Sequence, residues 1–233
     1  VFLHYTMKQW GMKPDEVGGK AMARIPVYVS TDDRYFQNPY QGVPAYGYTA
    51  MMEKMISKKN IVTLTGLDYQ DVISLDEKAK KVLVNGQEFD GKVIFTACID
   101  KLMDYKFGNL PYRSLKFEFT TLDKEEYQPV ATVNYPCNYE FTRITEFKKL
   151  TMQKHPKTTI MKEFSTLYNP DDDRLDPLYP IPQKENEELY DKYLNSVKEY
   201  PQIVLAGRLA NYKYFTMAET IRNALDIVKS ELL

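Results

Sequence analysis

A run of polar and aromatic residues near the C-terminus has the features of an anion-binding corner; residues 207–217 read GRLANYKYFTM. The apolar residues that precede it, 203–206, predict a buried strand. An amphipathic helical pattern follows, and Thr216 and Glu219 have the spacing of a capping box, which predicts that this helix begins at Thr216. The chain is therefore expected to pass from a strand through a polar turn to a helix N-terminus, an arrangement that binds anions in many folds.

The side chains of this turn supply positive charge and phenol donors. Arg208 and Lys213 are cationic, and Tyr212 and Tyr214 carry hydroxyl groups that donate hydrogen bonds to phosphate oxygens. These residue types favour a phosphate-bearing ligand. They also fit an ordinary strand-to-helix corner with tyrosines at the surface, and the run alone does not separate the two interpretations.

Two segments near the N-terminus carry related chemistry. Phe2, Tyr5 and Trp10 are spaced to lie near one another on a short helix and turn, where aromatic rings stack on a flat base. The alternative is packing in the core, where large aromatic side chains usually lie. A loop with paired glycines then ends at Arg24, and it fits either a closure over an anionic ligand or a plain connector.

Composition restricts the class of protein. The 233 residues suffice for one large domain or two smaller ones, and a net charge of -1 points to neither a nucleic acid nor an acidic membrane surface as partner. The chain has two cysteines and no C-x-x-C motif, which argues against a disulfide framework and a zinc site. Its two histidines are few for a multi-histidine metal site or a histidine-centred catalytic triad.

The chain is rich in tyrosine. Nineteen tyrosines suit a site for a polar, ring-bearing ligand, although sheets also favour tyrosine. No apolar run is long enough to span a bilayer, no signal peptide is visible, and the opening at Val1 leads us to expect a fragment of a longer protein.

Periodicity predicts a mixture of helices and strands. The helices are expected at 49–59, 99–105, 187–199 and from 216 onward, and the strands at 61–67, 81–84, 93–97, 114–122, 130–135, 142–147 and 158–164. The helix at 49–59 is expected to turn four apolar side chains to the core: Met51, Met52, Met55 and Ile56. Clean alternation in the strands after residue 114 predicts an antiparallel sheet with one solvated face, and 168–182 is expected to be a loop. No G-x-G-x-x-G motif, P-loop or nucleophile elbow occurs in the chain.

With these residues in view, the sequence resembles the UDP-galactopyranose mutase family. Matching segments follow one another in order across nearly the whole chain, which is far more specific than any one motif. They are YTMKQW at 5–10, RIP at 24–26, DRYF at 33–36, YQG at 40–42, YRSL at 112–115, NY at 134–135, TRITE at 142–146, YPI at 179–181 and GRLANYKY at 207–214. The chain departs from the family pattern at Thr216, where Asp or Asn is usual, and at Ala210, where Gly is frequent.

The resemblance implies a mixed α/β (α+β) fold, in which a partial flavin-binding, Rossmann-like domain accompanies a helical substrate segment and an antiparallel β-sheet domain. The corresponding boundaries are 1–43 for the helical substrate and mobile-loop segment, 44–99 for part of the FAD-binding domain, 100–185 for the antiparallel-sheet substrate domain and 186–233 for the C-terminal part of the FAD-binding domain. The Gly-rich FAD-binding turn of the family has no counterpart in this chain.

The implied activity is that of a cytoplasmic isomerase, a flavoprotein that interconverts UDP-galactopyranose and UDP-galactofuranose for galactofuranose-containing cell-wall polysaccharide. In the family, N5 of reduced FAD attacks the anomeric carbon, UDP leaves, and the sugar ring opens and recloses while it is attached to the flavin. Chemistry carried by a cofactor requires few acids and bases from the protein, which fits a chain with two histidines. The protein holds the diphosphate while it leaves and returns, and arginines and tyrosines do so by hydrogen bonds. Without the Gly-rich turn, the chain alone is expected to lose FAD and to be inactive.

The resemblance also assigns roles residue by residue. The assigned residues form four groups, which are the catalytic diphosphate clamp of Arg24 and Arg143, the phenol donors Tyr35, Tyr179 and Tyr214, the uridine pocket of Phe2, Tyr5 and Trp10 with Asn134, and the cofactor-binding residues Arg208, Met217 and Arg113. Met217 is expected to act through its backbone amide, which would face the pyrimidine edge of the flavin at a helix N-terminus.

Two rival interpretations belong to other classes of protein. A non-catalytic UDP-sugar-binding module would keep the clamp and the uridine pocket without the chemistry. A different flavin enzyme of related fold, such as an amine oxidase or a desaturase, would not need the uridine and diphosphate residues. The expected partners are UDP-galactose or UDP-galactofuranose and, in the full-length protein, a second copy in a homodimer; no metal, nucleic acid or membrane is expected.

Overall fold

The computed structural model of the protein describes residues 2–13, 15–16, 29–32, 34 and 37–232. The chain divides into two compact units. The first unit comprises Val1–Tyr5, Gly19–Gly66 and Phe117–Phe164, and the second comprises Thr6–Gly18, Leu67–Lys116 and Ser165–Leu233. The elements are a mixture of helices and largely antiparallel strands, as the sequence predicts.

The helices of the described residues are mostly short. They are α1 (Phe2–Trp10), α2 (Gly47–Ile56), α3 (Ile99–Leu102), α4 (Phe147–Thr151), α5 (Lys184–Val197), α6 (Gly207–Ala210) and α7 (Met217–Ile227), with a 3-10 turn at Tyr69–Asp71 and a π-helical turn at Val228–Leu232. The predicted capping box of α7 is confirmed, because the Thr216 hydroxyl accepts a hydrogen bond from the Glu219 amide and the Glu219 carboxylate accepts one from the Thr216 amide.

The strands form three sheets. They are β1 (Ile73–Asp76), β2 (Lys81–Val84), β3 (Gln87–Glu88), β4 (Val93–Phe95), β5 (Tyr112–Leu122), β6 (Thr132–Asn134), β7 (Arg143–Glu146), β8 (Thr158–Leu167), β9 (Tyr179–Pro180) and β10 (Ile203–Leu205). The sheet orders are β1-β2-β3, β10-β4 and β6-β7-β8-β5-β9. The strands predicted at 114–122 and 142–147 therefore lie in one five-stranded sheet, which confirms the prediction that they share a sheet.

The buried core of the second unit explains why α5 forms where it does. Tyr193 and Val197, which the helical spacing turns inward, are 0% and 3% exposed and pack in one apolar cluster with Ile99 and Tyr112. The Tyr193 hydroxyl donates to the Gly108 carbonyl at 2.7 Å, so the polar end of this buried ring is satisfied. This cluster anchors the elements that carry the cofactor residues predicted from the sequence.

One pair of strands in this unit is parallel. β10 lies beside β4, with Ile203 opposite Val93 and Leu205 opposite Phe95. Parallel neighbours require a crossover connection and are typical of α/β domains. Two strands do not by themselves establish a Rossmann-like domain, so that part of the predicted fold class remains a prediction.

Four local predictions are wrong. Residues 61–67 form no strand and are exposed, because none of the described strands pairs with them. The predicted core face of α2 is largely exposed, with Met55 60% accessible, and the strand predicted at 114–122 is exposed on both faces over residues 116–121 rather than on one. Hydrophobic periodicity identifies the residues that share a helix face but not whether another element covers that face. In the predicted loop at 168–182, residues 179–180 instead pair with β5 as β9.

Glu146 holds the turn that precedes β6 in the first unit. Its carboxylate is fully buried and accepts hydrogen bonds from the amides of Tyr127 and Gln128 and from the Thr158 hydroxyl at 2.6 Å. Although burial opposes it, this set of donors lowers the pKa of Glu146 below its ordinary value of 4.5.

We expect Glu146→Gln to lower the free energy of unfolding by about 2–3 kcal/mol at neutral pH, because two amides lose a charged acceptor. A lowered folded-state pKa contributes stability above the unfolded-state pKa and loses it as the pH falls. The difference from the wild type should therefore shrink as the pH falls below about 4.5. Urea unfolding at several pH values measures it, with exposed Glu140→Gln as the control; a difference independent of pH would contradict the assignment.

Candidate functional site

The first group of predicted site residues lies on the sheet of the first unit. Arg143 begins β7 and lies opposite Asn134 on β6 and Glu163 on β8. Residues directly opposed on antiparallel strands project from the same face, so these three side chains share one face of the sheet. Nη2 of Arg143 donates a hydrogen bond to the Tyr5 hydroxyl at 2.7 Å. The structure thus brings Arg143, Tyr5 and Asn134 together.

Glu163 is the counter-charge of Arg143, and sequence reasoning missed it. Its Oε2 lies 3.6 Å from Nε of Arg143, and the residue is 8% exposed. Burial raises the pKa of Glu163, and the Arg143 charge opposes that rise. The pairing is set by the register between β7 and β8, which a sequence without strand partners does not reveal.

A second group surrounds Arg208 in the second unit. Nε and Nη2 of Arg208 donate to the Phe215 carbonyl at 3.2 and 2.7 Å, and Nη1 donates to the Leu178 carbonyl at 3.0 Å. The guanidinium also lies 5.3 Å from the ring centre of Tyr179 and 4.5 Å from that of Tyr214. These two rings are stacked, with centres 5.6 Å apart. Arg208 therefore ties together the two backbone segments that carry the predicted phenol donors.

The start of α7 fits an anionic group. The N–H groups of the first helical turn have no partner within the helix, and the Thr216 hydroxyl satisfies that of Glu219. The amides of Met217 and Ala218 precede it, and the Met217 side chain is 63% exposed. These amides suit an anionic group, whereas the nitrogen atoms of Arg208 already donate to the carbonyls of Phe215 and Leu178.

Tyr212 does not serve as a phosphate donor. The residue is 7% exposed. Its hydroxyl group donates a hydrogen bond to the Pro111 carbonyl at 2.6 Å and accepts one from the Ile181 amide. Its φ is positive, at 46°, and its ring belongs to the buried apolar cluster. Tyr212 is therefore a structural residue of the turn, in contrast to Tyr214.

The remaining predicted residues divide into those the structure places and those it does not describe. Trp10 ends α1 and is partly buried, and Arg113 is 6% exposed and bonded to the end of that helix. The guanidinium of Arg113 therefore lies against a helix terminus. Arg24, Tyr35 and the side chain of Phe2 lie outside the described residues.

The contacts of Arg208 predict a structural cost when the side chain is removed. We expect Arg208→Ala to lower the free energy of unfolding by about 2–4 kcal/mol, because two partly buried carbonyls lose a charged donor and two rings lose their cation. Urea unfolding measures the change. Arg222→Ala, at an exposed position on α7, serves as the control and should stay within about 0.5 kcal/mol of the wild type.

Other site types find little support among the described residues. No cluster of His, Cys, Asp or Glu there is arranged to hold a metal ion. A half-open cavity of about 620 Å³ lies in the second unit and is lined largely by tyrosines and apolar residues, but none of the predicted site residues lines it. No described helix has the length and apolarity that crossing a membrane requires.

Comparison with known proteins identifies the family to which the chain belongs. The family model described as UDP-galactopyranose mutase matches residues 1–214. The chain is similar to a probable UDP-galactopyranose mutase of Klebsiella pneumoniae, with 34% identity over 96% of this chain and 54% of that protein. It is also similar to dTDP-fucopyranose mutase of Escherichia coli, with 32% identity over 97% of this chain and 58% of that protein.

A third relative and a solved structure extend the comparison. UDP-galactopyranose mutase of Mycoplasma genitalium is 31% identical over 100% of this chain and 57% of that protein. The fold resembles a crystal structure of reduced UDP-galactopyranose mutase, with a TM-score of 0.63 and 16% identity over 91% of this chain and 59% of that one. The chain spans little more than half the length of the curated relatives it matches. With a family match over residues 1–214, the chain belongs to the UDP-galactopyranose mutase family.

Proposed function

We propose that the chain is the sugar-nucleotide-binding part of a UDP-galactopyranose mutase, an isomerase that interconverts UDP-galactopyranose and UDP-galactofuranose. The observation that carries this proposal is the Arg143 cluster, in which a guanidinium is hydrogen-bonded to the Tyr5 phenol and backed by a buried carboxyl group. Such a cluster offers charge-assisted bonds to a diphosphate, and the family match supplies the sugar nucleotide as its source.

In this proposal the two described clusters have separate tasks. Arg143 binds the substrate diphosphate, and its hydrogen-bond partner Tyr5 belongs to the uridine pocket, with Asn134 opposite Arg143 on the sheet. Tyr179 and Tyr214 supply phenol donors, and Arg208 fixes the turn that holds both rings. Arg24 and Tyr35 complete the clamp, and Phe2 and Trp10 contact the uracil ring.

The cofactor of the proposed activity is reduced FAD. When bound, it supplies the nucleophile that carries the sugar while UDP is released and recaptured. Arg208 and the amides at the start of α7 would hold its ring end. The chain contains no Gly-rich motif for the pyrophosphate, and we therefore propose that the chain alone neither retains FAD nor turns over substrate. A cytoplasmic location and a homodimer of the full-length protein are also part of the proposal.

A second candidate function follows from the similarity to dTDP-fucopyranose mutase, which differs from the proposed activity in the base and the sugar of its nucleotide substrate. Isothermal titration of the chain with UDP and with dTDP separates the two. We expect UDP to bind about tenfold more tightly than dTDP. Tighter binding of dTDP would favour the second candidate, and no binding of either nucleotide would contradict both. A non-catalytic UDP-sugar-binding module predicts the same titration, and only turnover by the flavin-loaded full-length protein distinguishes it.

A further inference from the structure

The C-terminal end of α1 is built to stop the helix at a defined place. Gly11 has a φ of 65°, in the left-handed region that favours glycine, and its amide donates to the Met7 carbonyl at 2.7 Å. The last turn of a helix still leaves carbonyl groups without helix partners. One of these is the carbonyl of Gln9, the residue directly before Trp10.

Arg113 and Ser165 satisfy this carbonyl together. Nε of Arg113 donates to the Gln9 carbonyl at 3.1 Å, and the Ser165 hydroxyl donates to the same oxygen at 2.5 Å. Nη2 of Arg113 in turn donates to the Ser165 hydroxyl at 2.8 Å. The three residues form a closed ring of hydrogen bonds, and all three belong to the second unit.

The charge and shape of this contact make it specific. Arg113 is 6% exposed, burial lowers its pKa, and no carboxylate among the described residues forms an ion pair with it. The partial negative charge at a helix C-terminus is therefore its counterpart. The φ of residue 11 favours glycine, and a Cβ atom there would lie 3.0 Å from Nη1 of Arg113, a close contact with the guanidinium.

We propose that Arg113 and Ser165 are positioning residues for the nucleotide base, because they fix the Gln9 carbonyl and thereby the backbone from which Trp10 projects. The inference rests on the proposed function, in which Trp10 contacts the uracil ring. It gives Arg113 a role different from the cofactor contact predicted for it. Ser165, which no sequence motif singles out, shares this role.

Trp10 is the only tryptophan of the chain, so its fluorescence reports directly on this corner. The test compares the wild-type chain with Ser165→Ala and Arg113→Lys, because a lysine ammonium cannot reproduce the planar pair of donors. Acrylamide quenching of Trp10 should rise about twofold in both variants. UDP should bind about fivefold more weakly, while inorganic pyrophosphate, which has no base, should bind as in the wild type.

Ser57→Ala is the matched control, since the Ser57 hydroxyl also bonds a carbonyl at the end of a helix, that of Lys54. It should change neither quenching nor affinity. Unchanged quenching in both test variants, or equal losses of UDP and pyrophosphate affinity, would overturn the proposal. If the wild-type chain bound no UDP, the proposed function would fail, and the quenching comparison would still decide whether Arg113 and Ser165 hold Trp10.

Discussion

Replacing Arg143 with alanine is expected to weaken binding of UDP to the chain by roughly 10- to 150-fold, which corresponds to about 1.5–3 kcal/mol for a lost charge-assisted hydrogen bond. The guanidinium is the cation of this cluster, with Tyr5 as a neutral partner and Glu163 as an acid. Its removal leaves the diphosphate facing a phenol and a carboxyl group. Inorganic pyrophosphate should lose affinity by a similar factor, because the contact is to phosphate and not to the base.

The variant is expected to remain folded, for a reason that the structure supplies. Burial already raises the pKa of Glu163, and Arg143 opposes that rise. Without Arg143, the burial of Glu163 is no longer opposed by a positive charge, but the backbone pairing of β7 with β6 and β8 does not depend on the side chain. Circular dichroism should therefore match the wild type.

The control for this experiment is Arg174→Ala. Arg174 is an exposed arginine, paired with Asp172, and its loss should leave UDP affinity within about twofold of the wild type. Titration calorimetry with UDP and pyrophosphate measures all three proteins. An Arg143→Ala chain that bound UDP as the wild type does would remove Arg143 from the site. Since Glu163 remains in that variant, a low-pH titration also shows whether its protonation restores part of the affinity.

The parts of the fold that sequence predicted well are those with local causes. Thr216 and Glu219 satisfy each other across one helical turn, so their spacing alone located the start of α7. The alternating residues at 116–119 do lie on a strand, β5, but all four are exposed, so the alternation located the strand and not a buried face. Secondary structure of this kind depends on neighbours within a few positions.

The predictions that failed concern features that depend on residues far away in the sequence. The exposed faces of α2 and α7 have helical periodicity but no described element covering them, and residues 61–67 have strand composition but no strand beside them. Glu163 faces Arg143 because of strand register, and Ser165 meets Gln9 across 156 positions of sequence. The family resemblance located most candidate residues, but only the structure showed that Tyr212 points into the core and that Arg113 faces a helix end.

The purified chain is expected to be colourless and to bind added FAD too weakly to retain it through gel filtration. An FAD site of the Rossmann type holds the pyrophosphate on a Gly-rich turn and a helix N-terminus, and no such turn occurs in this sequence. The residues that fit the cofactor are confined to one corner. Three nitrogen atoms of Arg208 already donate hydrogen bonds to the carbonyls of Phe215 and Leu178. The start of α7 offers two further donors, the amides of Met217 and Ala218.

That corner offers few contacts for a ligand the size of FAD, because affinity for a large cofactor requires most of its surface to be enclosed. The measurement is the visible absorbance of the purified chain, followed by titration with FAD in the absence and presence of UDP. The full-length Klebsiella pneumoniae relative, prepared in the same way, tests whether the procedure preserves bound flavin in this family. UDP binding should persist in the chain while FAD binding does not, since Arg143 and Tyr5 do not depend on the missing turn. A yellow chain, or one that interconverts the two UDP-sugars with added FAD and dithionite, would instead mean that Arg208 and the start of α7 hold the cofactor by themselves.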